Sequence, residues 1–161
     1  MVLLTGASAF DRFEAGDTTA LSAAAQRGLR LFRDEKTRCF RCHVGFNFTN
    51  ENYRNIGVGM DRPNADLGRF DVTQREADRG AFKTPTLRDI VLTAPYFHDG
   101  SAATLEEVVE FYDKGGIKNP QLATEIKPLG LTAQEKADLV VFMRALTGEM
   151  SLEVMAPDLP Q

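Results

Sequence analysis

Both cysteines of this 161-residue chain, and one of its two histidines, fall within five positions: Cys39-Phe40-Arg41-Cys42-His43. The spacing is C-x-x-C-H, the pattern for covalent attachment of c-type haem. Two thiols three positions apart can each add to one vinyl group on the porphyrin edge, while the adjacent imidazole turns under the ring and binds the iron. Covalent tethering lets a small domain hold a haem without a large apolar pocket. Three other chemistries use thiols at this spacing. A dithiol redox motif expects a βαβ context and has no use for His43. A zinc site needs a fourth ligand, which would have to be His98 at poor spacing. A structural disulfide leaves His43 unexplained. One covalently bound haem c, held by Cys39, Cys42 and His43, is the expectation. Such attachment occurs outside the cytoplasm, so a periplasmic location follows by inference; "MVLLTGASAF" lacks the basic n-region of a secretory signal.

What faces His43 across the iron decides what such a haem does. Methionine raises the potential and suits electron transfer, an open position invites peroxide, and tyrosine favours ferric iron. The candidates are Met60 in a polar loop, Met143 on an apolar helix stripe, Met150 and Met155 in the C-terminal tail, His98, and Tyr112. His98 sits in the tight segment "PYFHDG" and is equally suited to a haem propionate. Tyr112 lies 69 residues after His43, and the residue pattern alone reads it as an ordinary buried aromatic.

The elements that must position these groups read as helices. Ser22 is a candidate N-cap for a helix over 22–33 leading into the haem motif. Thr104 and Glu107 form a capping box, and "LEEVVEFYDKGG" stops at Gly115 and Gly116; Leu105, Val108, Val109 and Tyr112 share its inward face. Thr132 and Glu135 repeat the box ahead of a last helix over 133–147. Gly28 on the first helix is the candidate for close approach to Phe142 on the last. A short helical piece fits near 86–92, between Pro85 and Pro95. The stretch from Val44 to Gly80 is rich in Gly, Asn and Asp without an apolar period, and a loop of that length is functional or wrapped around something. No strand alternation or internal repeat is visible. The expected fold is all-α, a cytochrome c-like domain with long haem-wrapping loops, divided as an irregular lead-in over 1–21, the haem domain over 22–148 and a tail over 149–161.

Charged residues make up 26% and hydrophobic ones 43%, an ordinary soluble globular balance. A net charge of −4, with no block of lysine and arginine, gives no footprint for nucleic acid. Apolar runs such as "LVVFM" are far too short for a membrane span.

The blocks "FDRFEAGDTTALSAAAQRGLRLF", "FKTPTLRDIVLTAPYFHDGSAATLEEVVEFYDKGG" and "IKPLGLTAQEKADLVVFMRALTG", in this order around the haem motif, resemble the C-terminal haem domain of bacterial diheme cytochrome c peroxidases and their MauG-type relatives, over about residues 10–148. The resemblance implies Cys39 and Cys42 as haem anchors and His43 as proximal ligand. It makes Tyr112 the distal ligand, since the end of "LEEVVEFY" is where the peroxidases carry methionine and the MauG-type enzymes tyrosine. It also implies a calcium ion taking the backbone carbonyls of Thr93 and Pro95, with His98 beside the haem. The family carries two C-x-x-C-H motifs and this chain has one, so the peroxide-reactive haem is expected in a second domain or chain. Two functions follow: an oxidoreductase component, whose haem exchanges electrons with that second haem and with a redox protein, or a stand-alone monohaem cytochrome c carrier with no catalytic activity.

Overall fold

The computed structural model describes residues 7–148. The fold is mostly helical with few strands. In chain order the elements are α1 (Ala9–Glu14), α2 (Ala23–Phe32), β1 (Tyr53–Arg54), α3 (Phe70–Thr73), β2 (Phe82–Lys83), α4 (Leu105–Asp113) and α5 (Ala133–Arg144), with short 3-10 turns at Cys39–Arg41, Glu76–Asp78 and Ile90–Leu92.

The caps read from sequence form as expected. The Ser22 hydroxyl accepts from Ala25 N, and both Thr104–Glu107 and Thr132–Glu135 close reciprocal capping boxes. Such caps satisfy backbone donors that the first helical turn leaves without partners. The helical piece near 86–92 shrinks to the 3-10 turn Ile90–Leu92.

The lead-in is not irregular throughout: it holds α1, closed by a box between Ser8 and Asp11. Phe10 from this helix is buried, and the Asp11 carboxylate takes two hydrogen bonds of 2.8 Å from the buried Arg88 guanidinium. The absence of strands also needs correction, because β1 and β2 pair antiparallel, Tyr53 with Lys83 and Arg54 with Phe82. Two-residue strands are too short to show alternation in sequence.

The core lies between α2 and α5, whose crossing brings Phe32 within 5.1 Å of Phe142, ring centre to ring centre. Phe10 and Phe48 join the same cluster edge-on, at 5.0 Å from one another. Phe142 and Leu146 are fully buried, so the end of α5 is the centre of the core. Here the expected approach of Gly28 to Phe142 is present: a Cβ on Gly28 would come within 2.8 Å of the Phe142 Cβ.

The long stretch after His43 is ordered by side-chain amides rather than by apolar periodicity. Asn55 is buried; its Nδ2 donates to Arg79 O at 2.7 Å and to Asn119 Oδ1 at 2.9 Å, while its Oδ1 accepts from Gly57 N at 2.8 Å. One residue thereby ties the loop after β1 to the turn before β2 and to the segment after α4. A buried amide satisfied on both ends specifies one loop path, since any other leaves it without partners.

Candidate functional site

α2 delivers the chain to the cysteine motif through a turn stabilised by Thr37, whose hydroxyl donates to the carbonyl of Leu31. The turn Cys39–Arg41 then reverses direction, with Cys42 N and His43 N donating to the Cys39 carbonyl at 3.2 and 2.9 Å. This short turn clusters two free thiols and an imidazole. Burial pushes the Cys39 thiol up to about 11, and raises that of Cys42 although the Arg54 guanidinium opposes it. Both groups are therefore protonated, half-buried thiols at neutral pH.

His43 is oriented by its backbone neighbours. Its Nδ1 lies 2.9 Å from the Phe48 carbonyl oxygen, a bond in which Nδ1–H donates and leaves the Nε2 lone pair free. Burial lowers its pKa, against the raising effect of the Phe48 and Pro85 carbonyls. The ring is thus held neutral, the form that ligates a metal, with its second nitrogen fixed by a carbonyl in the way that histidine ligands are usually held. Phe48, which has a left-handed backbone with φ +50, is the functional group that the sequence reading missed. Arg54, beside Cys42, is another, and no local pattern marks it.

α4 brings in the fourth group. Leu105, Val108 and Val109 are buried, and Tyr112, one turn on from Val108 and Val109, packs half-buried against the core with Cys39 and Phe97. Its phenol pKa is pushed up by burial first, and then by the charges that Cys39 and Cys42 would carry. The Tyr112 phenol thus lies within electrostatic reach of both thiols, although 70 residues of chain separate Tyr112 from Cys42. A phenolate is costly there unless a cation compensates it, and a bound metal ion reverses such a shift. Two thiols, a neutral imidazole with a free nitrogen and a buried phenol suit an iron porphyrin attached through both cysteines.

The other candidates fall elsewhere. The His98 ring is exposed and stacks flat on Phe82, 3.6 Å between centres at an interplanar angle of 8°. Among the described residues no group of three or more His, Cys, Asp or Glu is placed to hold a metal ion, so the zinc arrangement with His98 is not assembled. Met60 packs at Gly80, where a Cβ would meet its sulfur at 2.6 Å, and Met143 is buried in the α5 core. Met150 and Met155 lie outside the described residues. Thr93 and Pro95 are exposed, next to exposed Val91 and Leu92. No helix among the described residues is long and apolar enough to cross a membrane.

No family model matches the chain. It is 41% identical over 160 residues to the methylamine utilization protein MauG of Methylorubrum extorquens, covering 98% of this chain and 44% of that protein. It is 42% identical over 149 residues to the cytochrome c551 peroxidase of Nitrosomonas europaea, covering 91% of this chain and 41% of that protein. The chain thus spans less than half the length of these relatives. Among solved structures, a MauG-like protein associated with microbial copper homeostasis superposes with a TM-score of 0.82 at 36% identity, over 89% of this chain and 52% of that one. The diheme peroxidase BthA from Burkholderia thailandensis shares the fold, with a TM-score of 0.74 at 22% identity, over 88% of this chain and 46% of that one.

Proposed function

The chain is a homologue of MauG and the bacterial diheme cytochrome c peroxidases, matching the C-terminal half of these proteins, and from that premise we propose that it is the electron-transfer haem c domain of a peroxidase-like or MauG-like oxidoreductase. The observation that supports the reading is that Tyr112 at the end of α4 and Cys39 of the C-x-x-C-H motif pack against the same core cluster. When bound, haem c would supply a one-electron iron couple whose potential the residues that ligate it would tune. Cys39 and Cys42 anchor the porphyrin. His43 would ligate the iron through Nε2, and its Nδ1–H donation to Phe48 O fixes the ring and would strengthen the nitrogen as a ligand. Tyr112 would offer an anionic oxygen, a donor that favours ferric iron.

The domain acts with a second haem domain or chain and with a redox protein as donor or acceptor, in the periplasm. The exposed, partly apolar stretch from Val91 to Pro95 is suited to that second domain. Carbonyl oxygens of Thr93 and Pro95 on it are ligands of the kind that a calcium ion takes.

The test compares ferric optical and EPR spectra of the haem-loaded wild type and Tyr112→Phe. Loss of the wild-type low-spin signature in the variant supports the reading. A methionine-to-iron charge-transfer band in the wild type, or identical spectra, overturns it. The single C-x-x-C-H motif favours a second reading, a monohaem carrier. That reading is supported if the chain exchanges electrons but adds nothing to peroxide turnover when mixed with a haem protein that it binds.

A further inference from the structure

Tyr112 stands at the end of a nine-residue helix, where the backbone is usually free to fray. Its ring neighbours are loose: Phe111 at 5.7 Å edge-on and Phe97 at 6.5 Å. What fixes its position must therefore act on the last turn of α4, and the structure shows an anchor there. The Asp113 carboxylate accepts from Leu131 N at 2.8 Å through one oxygen and from Lys136 Nζ at 2.6 Å through the other. The Asp113 carbonyl accepts from Leu129 N at 3.0 Å. Lys136 also reaches Glu110 at 2.6 Å, one turn back on α4. Gly115 docks so closely that a Cβ on it would come within 2.6 Å of the Pro128 ring.

Helix stability does not account for the carboxylate. Glu110 and Asp113 lie near the C-terminal end of α4, where the helix dipole disfavours negative charge, and no basic residue of α4 stands in that last turn. Glu110 also pairs with Lys114 at the C-cap, 3.1 Å away, whereas the cation on Asp113 comes from α5. A residue that breaks a local rule and is satisfied from another element marks a functional constraint.

We propose that Asp113, held by Lys136, is a positioning residue that sets the engagement of Tyr112 with the haem iron; the proposal rests on Tyr112 as axial ligand. Asp113 bonds to Leu129, Leu131 and Lys136. It ties the last turn of α4 to residues 129–131 and α5, and α5 is locked to α2 by two hydrogen bonds between Arg27 and Asp138, at 2.7 and 2.8 Å. α2 leads into Cys39–His43, so both faces of the haem site hang on one frame. Removing the carboxylate frees the phenol side while leaving the thioether and imidazole side in place.

The experiment uses the haem-loaded chain with Asp113→Ala, Asp113→Asn, Lys136→Met and Tyr112→Phe, reading ferric EPR and midpoint potential beside thermal unfolding. In Asp113→Ala the ratio of tyrosine-bound to unbound ferric haem falls about tenfold, the equivalent of one charged hydrogen bond, and the potential rises. Asp113→Asn, which keeps an acceptor for Leu131 N, recovers part of the bound fraction. Lys136→Met leaves the Leu131 bond intact and covers the case in which Asp113→Ala does not fold; it shifts the potential in the same direction by less. Wild-type spectra and potential in both Asp113→Ala and Lys136→Met, while Tyr112→Phe alters them, overturn the proposal alone. If Tyr112→Phe also matches the wild type, the ligand assignment fails and the proposal with it.

Discussion

Gly28 of α2 lies flat against the backbone of Asp138 on α5: a Cβ at Gly28 would overlap the Asp138 carbonyl group. The side chains on either side complete the crossing, since Arg27 Nε and Nη2 grip the Asp138 carboxylate at 2.7 and 2.8 Å. The helix that leads into Cys39–His43 is thereby fixed on the helix against which α4 packs.

Gly28→Ala tests this contact. On an open helix the change would add up to about 1 kcal/mol through helix propensity. Here the new methyl meets backbone, which cannot rotate away, and overpacking of that kind costs about 1–3 kcal/mol. The expected outcome is a net loss of about 1–2 kcal/mol in urea unfolding, and a Tm lower by about 2–8 °C. A variant as stable as the wild type would show that the helices sit farther apart.

The Arg27–Asp138 pair gives the fold an acid limit. The Arg27 hydrogen bonds hold the Asp138 carboxyl below the usual carboxylate range, outweighing the opposing effect of burial. A group with a depressed folded pKa contributes stability that is fully present above its unfolded pKa, about 3.9, and is lost as pH falls through the folded value. Wild-type stability should therefore drop steeply below about pH 4. Asp138→Asn should be less stable at pH 7 and show a shallower fall on acidification. Parallel pH profiles of chemical unfolding for the two proteins would contradict this account.

The helices bearing Tyr112 and the α5 core were legible because their signals are local. Thr104 with Glu107 and Thr132 with Glu135 are three positions apart, and each closes the box that its spacing announces. The same grammar opens α1, where Ser8 and Asp11 form a box, but aspartate in place of glutamate, ahead of a helix of only six residues, leaves little period to see. The pattern that points to a haem anchor needs only five consecutive residues to be read. The electrostatic reach between Tyr112 and the thiols of Cys39 and Cys42 was not legible, because no periodicity spans 70 residues; only resemblance pointed to Tyr112. The loop after His43 stayed unread for a related reason: its path is set by Asn55 reaching Arg79 and Asn119, partners that no spacing rule connects.

Arg88 couples α1 to the segment whose Phe48 carbonyl orients His43. Its side chain is 2% exposed and holds Asp11 through two bonds, while Nε donates to Phe46 O at 2.8 Å, two residues before the carbonyl that orients His43. Arg88→Met keeps much of the volume but leaves a half-buried carboxylate without its cation. A loss of about 3 kcal/mol is expected, the low end for a broken buried pair because Asp11 retains some solvent. Arg88→Lys should recover little, since an ammonium cannot reproduce the two-pronged bond to Asp11 together with the bond to Phe46 O. Urea unfolding and cleavage of the N-terminal segment by protease measure both effects. Wild-type values for Arg88→Met would mean that α1 docks through Phe10 alone.

Replacing Tyr112 by methionine should convert the site from one that holds ferric iron to one that holds ferrous iron better. Burial raises the phenol pKa of Tyr112, so a neutral thioether would meet no desolvation penalty at that position, whereas a phenolate would need a cation such as the haem iron to compensate it. Methionine opposite histidine raises the potential. Potentiometric titration of the haem-loaded Tyr112→Met chain should give a higher midpoint than the wild type, accompanied by a methionine-to-iron charge-transfer band in the ferric spectrum. The band without a rise in potential would mean that burial of the haem, not the charge of the sixth ligand, controls the couple. An unchanged potential without the band would place Tyr112 in the packing around the haem rather than on its iron.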